Sequence, residues 1–284
     1  MRALALCALG VLGFSFTLPA TRIASGELDP LILGPGRGAV AAVIAALVLL
    51  ARAERRPTMT QWKRLSVVAG GVVLGFPLLT SLALTRVPTH HAVVLIGLTP
   101  LGTSICAALR NRERPSLAFW LFALLGALAV AAFGVAAHGF TFDIADFLLL
   151  LAVLLVSIGY AEGGKLAAEL DGVSVVCWAL LLALPFTLSC VAYALLMHPR
   201  ALPGASAWLG FGYVSIVSSV LAFGAWYRGL ALGGIARGSQ VQLMQPVLSL
   251  LWCSTLLGEP LTKATMLAGG AVLVSAAGSR WTRA

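Results

Sequence analysis

Leu98-Thr99-Pro100-Leu101 runs through apolar residues to Glu113-Arg114-Pro115, and Gln245-Pro246-Val247 runs in the same way to Leu257-Gly258-Glu259-Pro260-Leu261. In both stretches a Pro inside an apolar span is followed thirteen residues later by a Glu that opens the next loop. The flanks agree. Gly126 and Gly134 follow the first stretch, and Gly270 and Gly278 follow the second, each pair eight residues apart. Arg22 precedes Leu28-Asp29, as Lys165 precedes Leu170-Asp171. Matched spacings of this kind mark an internal repeat, with units over residues 1–140 and 141–284.

Each unit is made of membrane spans. Of 284 residues, 60% are hydrophobic and 10% charged, against about 45–50% and about 25% in a soluble domain. Ten stretches approach the roughly 20 apolar residues that cross a bilayer. They lie near 3–21, 30–51, 65–85, 89–109, 116–137, 144–166, 173–197, 206–228, 236–257 and 263–279. The connections are too short for a soluble domain, and a chain in lipid satisfies its backbone within helices. The first stretch could pass for a cleaved leader, but the repeat needs it as helix 1. The expected fold is an all-α integral membrane bundle of ten helices. Five is odd, so the second unit enters from the opposite face, and the two repeats are inverted. Transporters built this way bind substrate near the midplane, at the repeat interface.

The formal net charge of +9 follows the same plan. With the N-terminus inside, 14 of the 19 bases fall on the inner face: Arg2, Arg52, Arg55, Arg56, Lys63, Arg64, Arg110, Arg112, Arg114, Lys165, Arg228, Arg237, Arg280 and Arg283. Short cytoplasmic loops carry such an excess. Both termini are therefore expected in the cytoplasm, at a bacterial-type inner membrane. The basic excess needs no nucleic acid.

Motifs for bond chemistry are scarce. No span carries a spaced pair of carboxylates, and there is no phosphate loop or His-Glu-x-x-His. The five cysteines sit singly in helices, where they read as small packing groups. Neither a metal nor a cofactor is expected. His90 and His91 open helix 4 on the outer side, but neighbours on a helix diverge by about 100° and share one ion poorly. They fit an interfacial pair, or a proton-sensing role at a cavity mouth.

The clearest polar stripe is Gln242, Gln245 and Ser249, on one face of helix 9. It fits helix–helix hydrogen bonding or a substrate cavity. Pro100 and Pro246 kink helices 4 and 9, either as hinges or as static bends. Ser219, Trp226, Tyr160, Phe14, Phe76 and Thr80 complete a candidate lining, each with a packing role as its alternative. Arg37, in the outer part of helix 2, fits snorkelling, a packing anchor, gating or attraction of an anionic group. Glu162 and Lys165, three residues apart, fit a local ion pair. Otherwise Glu162 is the obvious intramembrane carboxylate for coupling.

The two Pro-to-Glu stretches, Arg37 and the run from Ser219 to Tyr227 resemble EamA-type carriers of the drug/metabolite transporter superfamily over nearly the whole chain. The second half departs from the pattern: the region around Ala179, which corresponds to Arg37, is apolar. The resemblance implies a ten-helix carrier that exports small organic solutes, with bacterial aromatic amino-acid exporters among its members. The partners are then a small-molecule substrate and membrane lipid. The oligomeric state is open and a monomer is compatible. The alternatives are an exporter of drugs or other metabolites, a multispan membrane enzyme and a scaffold subunit.

Overall fold

A computed structural model describes residues 2–111, 116–138, 143–197, 202–233 and 241–281. The described residues form ten helical rods. These are α1 (Arg2–Ser15, Thr17–Ser25), α2 (Pro30–Ala51) and α3 (Met59–Val68, the π-helical Ala69–Gly75, Phe76–Ala83). Then come α4 (Thr89–Ile96, Thr99–Asn111), α5 (Leu117–His138), α6 (Ile144–Leu166) and α7 (Gly172–Met197). Last are α8 (Ala205–Gly212, the π-helical Tyr213–Ala222, Phe223–Gly233), α9 (Met244–Leu257) and α10 (Lys263–Trp281). Six rods are long and apolar enough to span a membrane, and α5, α9 and α10 carry shorter apolar helices. The expected boundary between residues 140 and 141 lies outside the described residues, as does Glu113.

Packing follows the repeat. The most extensive contacts join α2 to α7 and α5 to α10. Helix α1 packs on α8 as α6 packs on α3, and α1 meets α9 as α6 meets α4. Shifting each index by five maps this pattern onto itself, as a two-fold axis between the halves requires. The two units are thus inverted five-helix repeats. One glycine of each repeated pair, Gly126 and Gly278, lies on the α5–α10 seam. A Cβ on Gly126 would meet Ser275 Oγ at 2.5 Å, and one on Gly278 would meet the Phe122 ring at 2.2 Å. Small residues let membrane helices approach this closely. Outward-facing Leu47, Leu50, Leu196, Leu209 and Leu267 leave an apolar exterior, which suits lipid contact.

Prolines set the breaks. Pro100 lacks the N–H that would reach the Ile96 carbonyl. The Thr99 hydroxyl donates to that carbonyl instead, at 2.7 Å, and α4 breaks at Gly97–Leu98. Pro19 frees the Ser15 carbonyl in the same way, and Ser249 of α9 donates to it at 2.7 Å. The two π-helical segments occupy α3 and α8, the third rod of each half. Pro77 removes a donor just after the first. Within the second, Ser219 donates to the Val214 carbonyl five residues earlier, at 2.7 Å.

Helix α3 begins six residues before the expected span. Thr58 and Gln61 form a capping box there, so a polar first turn precedes the apolar run. Gly258 ends α9 at φ 65°, in the left-handed region that favours glycine.

Candidate functional site

The broken helix α4 meets α9 next to a polar hollow of about 30 Å³. Gln242, Gln245, Ser249, Pro100 and Pro246 line it, with Phe76 and Tyr160 as aromatic walls. A second hollow of about 30 Å³ shares Phe76, Tyr160 and Gln245 and adds Phe14, Thr17, Ser218 and Arg37. Each has room for roughly two waters. An organic solute would enter only if the helices part.

Arg37 is buried, at 5% exposure, rather than turned outward to the interface. Its Nε donates to Ser219 Oγ at 3.0 Å and its Nη2 to Ser218 Oγ at 3.2 Å. Ser218 in turn shares a hydrogen bond with Thr17, at 2.8 Å. No carboxylate among the described residues pairs with Arg37. Placing an Arg at the centre of a membrane helix costs about 2.5–3.5 kcal/mol, and the Ser218 and Ser219 hydroxyls satisfy two of its donors. Phe14 and Tyr160 both pack on Phe223, with ring centroids 4.6 and 6.1 Å away. Together they form an aromatic wall beside the guanidinium.

Other expected lining residues lie elsewhere. Thr80 is buried but spends its hydroxyl on the Phe76 carbonyl, at 2.7 Å. Trp226 packs on Phe14 at 6.4 Å and lines neither hollow. His90 and His91 sit at the end of the bundle that carries the α9–α10 loop. The Glu259 carboxylate accepts from the Thr89 and His90 amides at 2.9 and 2.8 Å, and lies 2.9 Å from His90 Nδ1. Burial alone raises the Glu259 pKa, but the bonds from His90 and Thr89 outweigh it and hold the group at about 2. His91 Nε2 meets Asp146 Oδ1 at 2.6 Å, with both side chains 4% exposed. Asp146 is therefore a buried carboxylate, as Asp29 and Glu162 are. It escapes notice in the sequence because an acid in the first turn of α6 looks like a simple helix-end charge.

The other end of the bundle is also tied. Glu162 pairs with Arg64 of α3 and not with Lys165 on its own helix. Arg64 also bonds Glu169. Arg52 donates to Asp171 at 2.7 Å, and this bond raises the Arg52 pKa. A wider hollow, about 530 Å³, is a mostly apolar groove between α2, α7 and α8. Exposed Leu195, Leu202 and Trp208 line it, so it belongs to the lipid-facing flank. Among the described residues no cluster of His, Cys, Asp or Glu has the makings of a metal site.

Two inverted five-helix units around a small polar core, where α4 and α9 meet, define a membrane solute carrier. The chain belongs to the EamA-like transporter family, whose model matches residues 1–135 and 143–281. It is 42% identical over 272 residues to the uncharacterized transporter YdeK of Bacillus subtilis, covering 96% of this chain and 94% of that one. An uncharacterized transporter of Archaeoglobus fulgidus is 25% identical over 267 residues, covering 92% of each chain. A solved structure titled "Crystal structure of protein" shares the fold, with a TM-score of 0.68 at 23% identity over 97% of this chain and 95% of that one.

Proposed function

We propose that this carrier exports amino acids with aromatic or other apolar side chains from the cytoplasm, by alternating access. The observation that carries this reading is the pair of polar, aromatic-walled hollows where α4 and α9 meet. Gln242 and Gln245 would bond the polar end of the solute, while Phe14, Phe76 and Tyr160 would cover its apolar body. Pro100 and Pro246 would act as hinges. The Glu259 and His91–Asp146 ties would form the outer gate, and the Arg64 and Arg52 ties the inner one. Each gate would open in turn. The inner-face bases support an inner-membrane location with both termini cytoplasmic. No bond is made or broken in this cycle, so the protein acts without being an enzyme.

The test is counterflow in liposomes holding the purified chain, with phenylalanine, tryptophan, threonine and a panel of other small metabolites. Preloaded phenylalanine or tryptophan should drive uptake of the labelled form above that of protein-free liposomes. If no amino acid moves while another class does, the substrate is wrong. If nothing moves, the carrier reading itself is lost.

A further inference from the structure

We propose, resting on the carrier reading above, that Arg37 anchors an anion subsite that takes the carboxylate of an organic solute. A guanidinium offers five N–H donors. Two of them meet neutral hydroxyls, Ser219 at 3.0 Å and Ser218 at 3.2 Å. These hydroxyls are held in place, because Ser219 donates to Val214 and Ser218 is tied to Thr17. The remaining donors find no acceptor among the described residues. Hydroxyls orient the guanidinium and leave its charge unbalanced.

A second buried donor belongs to a residue that shares a hollow with Arg37. A hollow of about 20 Å³ on one side of Arg37 is also lined by Ser219, Phe223 and Tyr227. Tyr227 is fully buried, and its hydroxyl has no hydrogen-bond partner among the described residues. A buried donor without an acceptor is costly. A water in either hollow could satisfy a donor but would not neutralise the charge. A carboxylate does both, and it matches the planar fork of an Arg.

The rest of the lining defines the class. None of the three hollows is lined by a carboxylate, so the protein supplies no competing anion. Ala179, which corresponds to Arg37 in the second half, lines the same hollow as Tyr227. The site therefore carries one charge and not a symmetric pair, which suits a monoanionic head. The adjoining rings of Phe14, Tyr160 and Phe223 suit an apolar or aromatic body. The assigned ligand is a monocarboxylate with such a body, and a zwitterionic amino acid is one example.

The experiment compares acids with their neutral amides. Benzoate and 3-phenylpropionate are titrated against the purified full chain, and its thermal unfolding midpoint is read. Benzamide and 3-phenylpropionamide serve as the uncharged pair. The acids should raise the midpoint saturably, and the amides should need about tenfold more or act not at all. Arg37→Gln should weaken acid binding by about ten- to a hundredfold, the worth of a charge-assisted hydrogen bond. Arg37→Lys should keep part of it. Should Arg37→Gln fail to fold, Tyr227→Phe decides, since it removes only an unpartnered hydroxyl and should weaken acid binding severalfold. Equal action of acids and amides overturns the subsite. So does unchanged binding in the folded variants, or no response to either acid. If acids bind but counterflow carries no amino acid, the subsite stands and the amino-acid reading falls. The converse leaves a carrier without this anchor.

Discussion

Replacing Glu259 by Gln tests the proposed outer gate most sharply. The carboxylate takes two amide N–H groups at the start of α4, at 2.9 and 2.8 Å, and lies 2.9 Å from His90 Nδ1. An amide keeps one acceptor oxygen and turns its NH₂ toward a donor. At least one charge-assisted bond goes, worth about 1.5–3 kcal/mol, and with it a helix-end interaction of about 0.3–1 kcal/mol. The closed outer gate should therefore lose about 2–4 kcal/mol, a shift of more than about tenfold in its population. Cys253 is the reporter. It is fully buried one turn before Glu259, and its carbonyl accepts the Glu259 amide at 3.1 Å. In a chain whose other four cysteines are replaced, Glu259→Gln should speed Cys253 labelling by an external thiol reagent by about tenfold or more. The same tie is acid-sensitive. The folded-state pKa of about 2 lies below the free value of about 4.3. Its contribution is therefore full above about pH 4.3 and fades as pH falls toward 2. Labelling within about twofold of the parent, with an unchanged unfolding midpoint, would refute the latch.

Arg64→Leu removes the cation beside buried Glu162 and should cost about 3–5 kcal/mol, while Arg64→Leu with Glu162→Leu should recover most of it. A double-mutant cycle in thermal unfolding measures the coupling, and simple additivity would contradict the tie. Asp146→Leu should destabilise the bundle more than the His91→Leu, Asp146→Leu double variant does, because the single change takes the Asp146 carboxylate away from the buried His91 ring. Unfolding midpoints give the order. Gly258→Ala places a Cβ at φ 65° and should cost about 1–2 kcal/mol. It should also loosen Glu259 and speed Cys253 labelling in the same assay.

The repeat and the ten spans were legible because each rests on local pattern: apolar length, Pro-to-Glu spacing and odd helix number. Gln242, Gln245 and Ser249 do line one hollow, but Gln242 lies in the turn before α9 and not on its face. The partners of charged residues were not legible. Glu162 has Lys165 within reach along its own helix, yet it pairs with Arg64, which lies 98 positions away in sequence. His90 and His91 invite a joint role, but a helix turns them toward different acids, Glu259 and Asp146. The π-helical turns left little trace, since Pro77 and the Ser218-Ser219 pair also suit an ordinary kinked helix. Burial of Arg37 depended on the hydroxyls of α8, more than 180 residues distant, which no local pattern reports.

The central claim is that the bundle opens at one end at a time around a bound solute. Spin labels can report this in lipid nanodiscs, one pair on exposed Arg86 and Lys263 and the other on exposed Lys63 and Arg228. Pulsed distance measurements with and without phenylalanine then follow both ends together. The account predicts opposed changes, one pair widening as the other narrows. Two ends that widen together, or that both ignore every solute carried in the liposome assay, would contradict it.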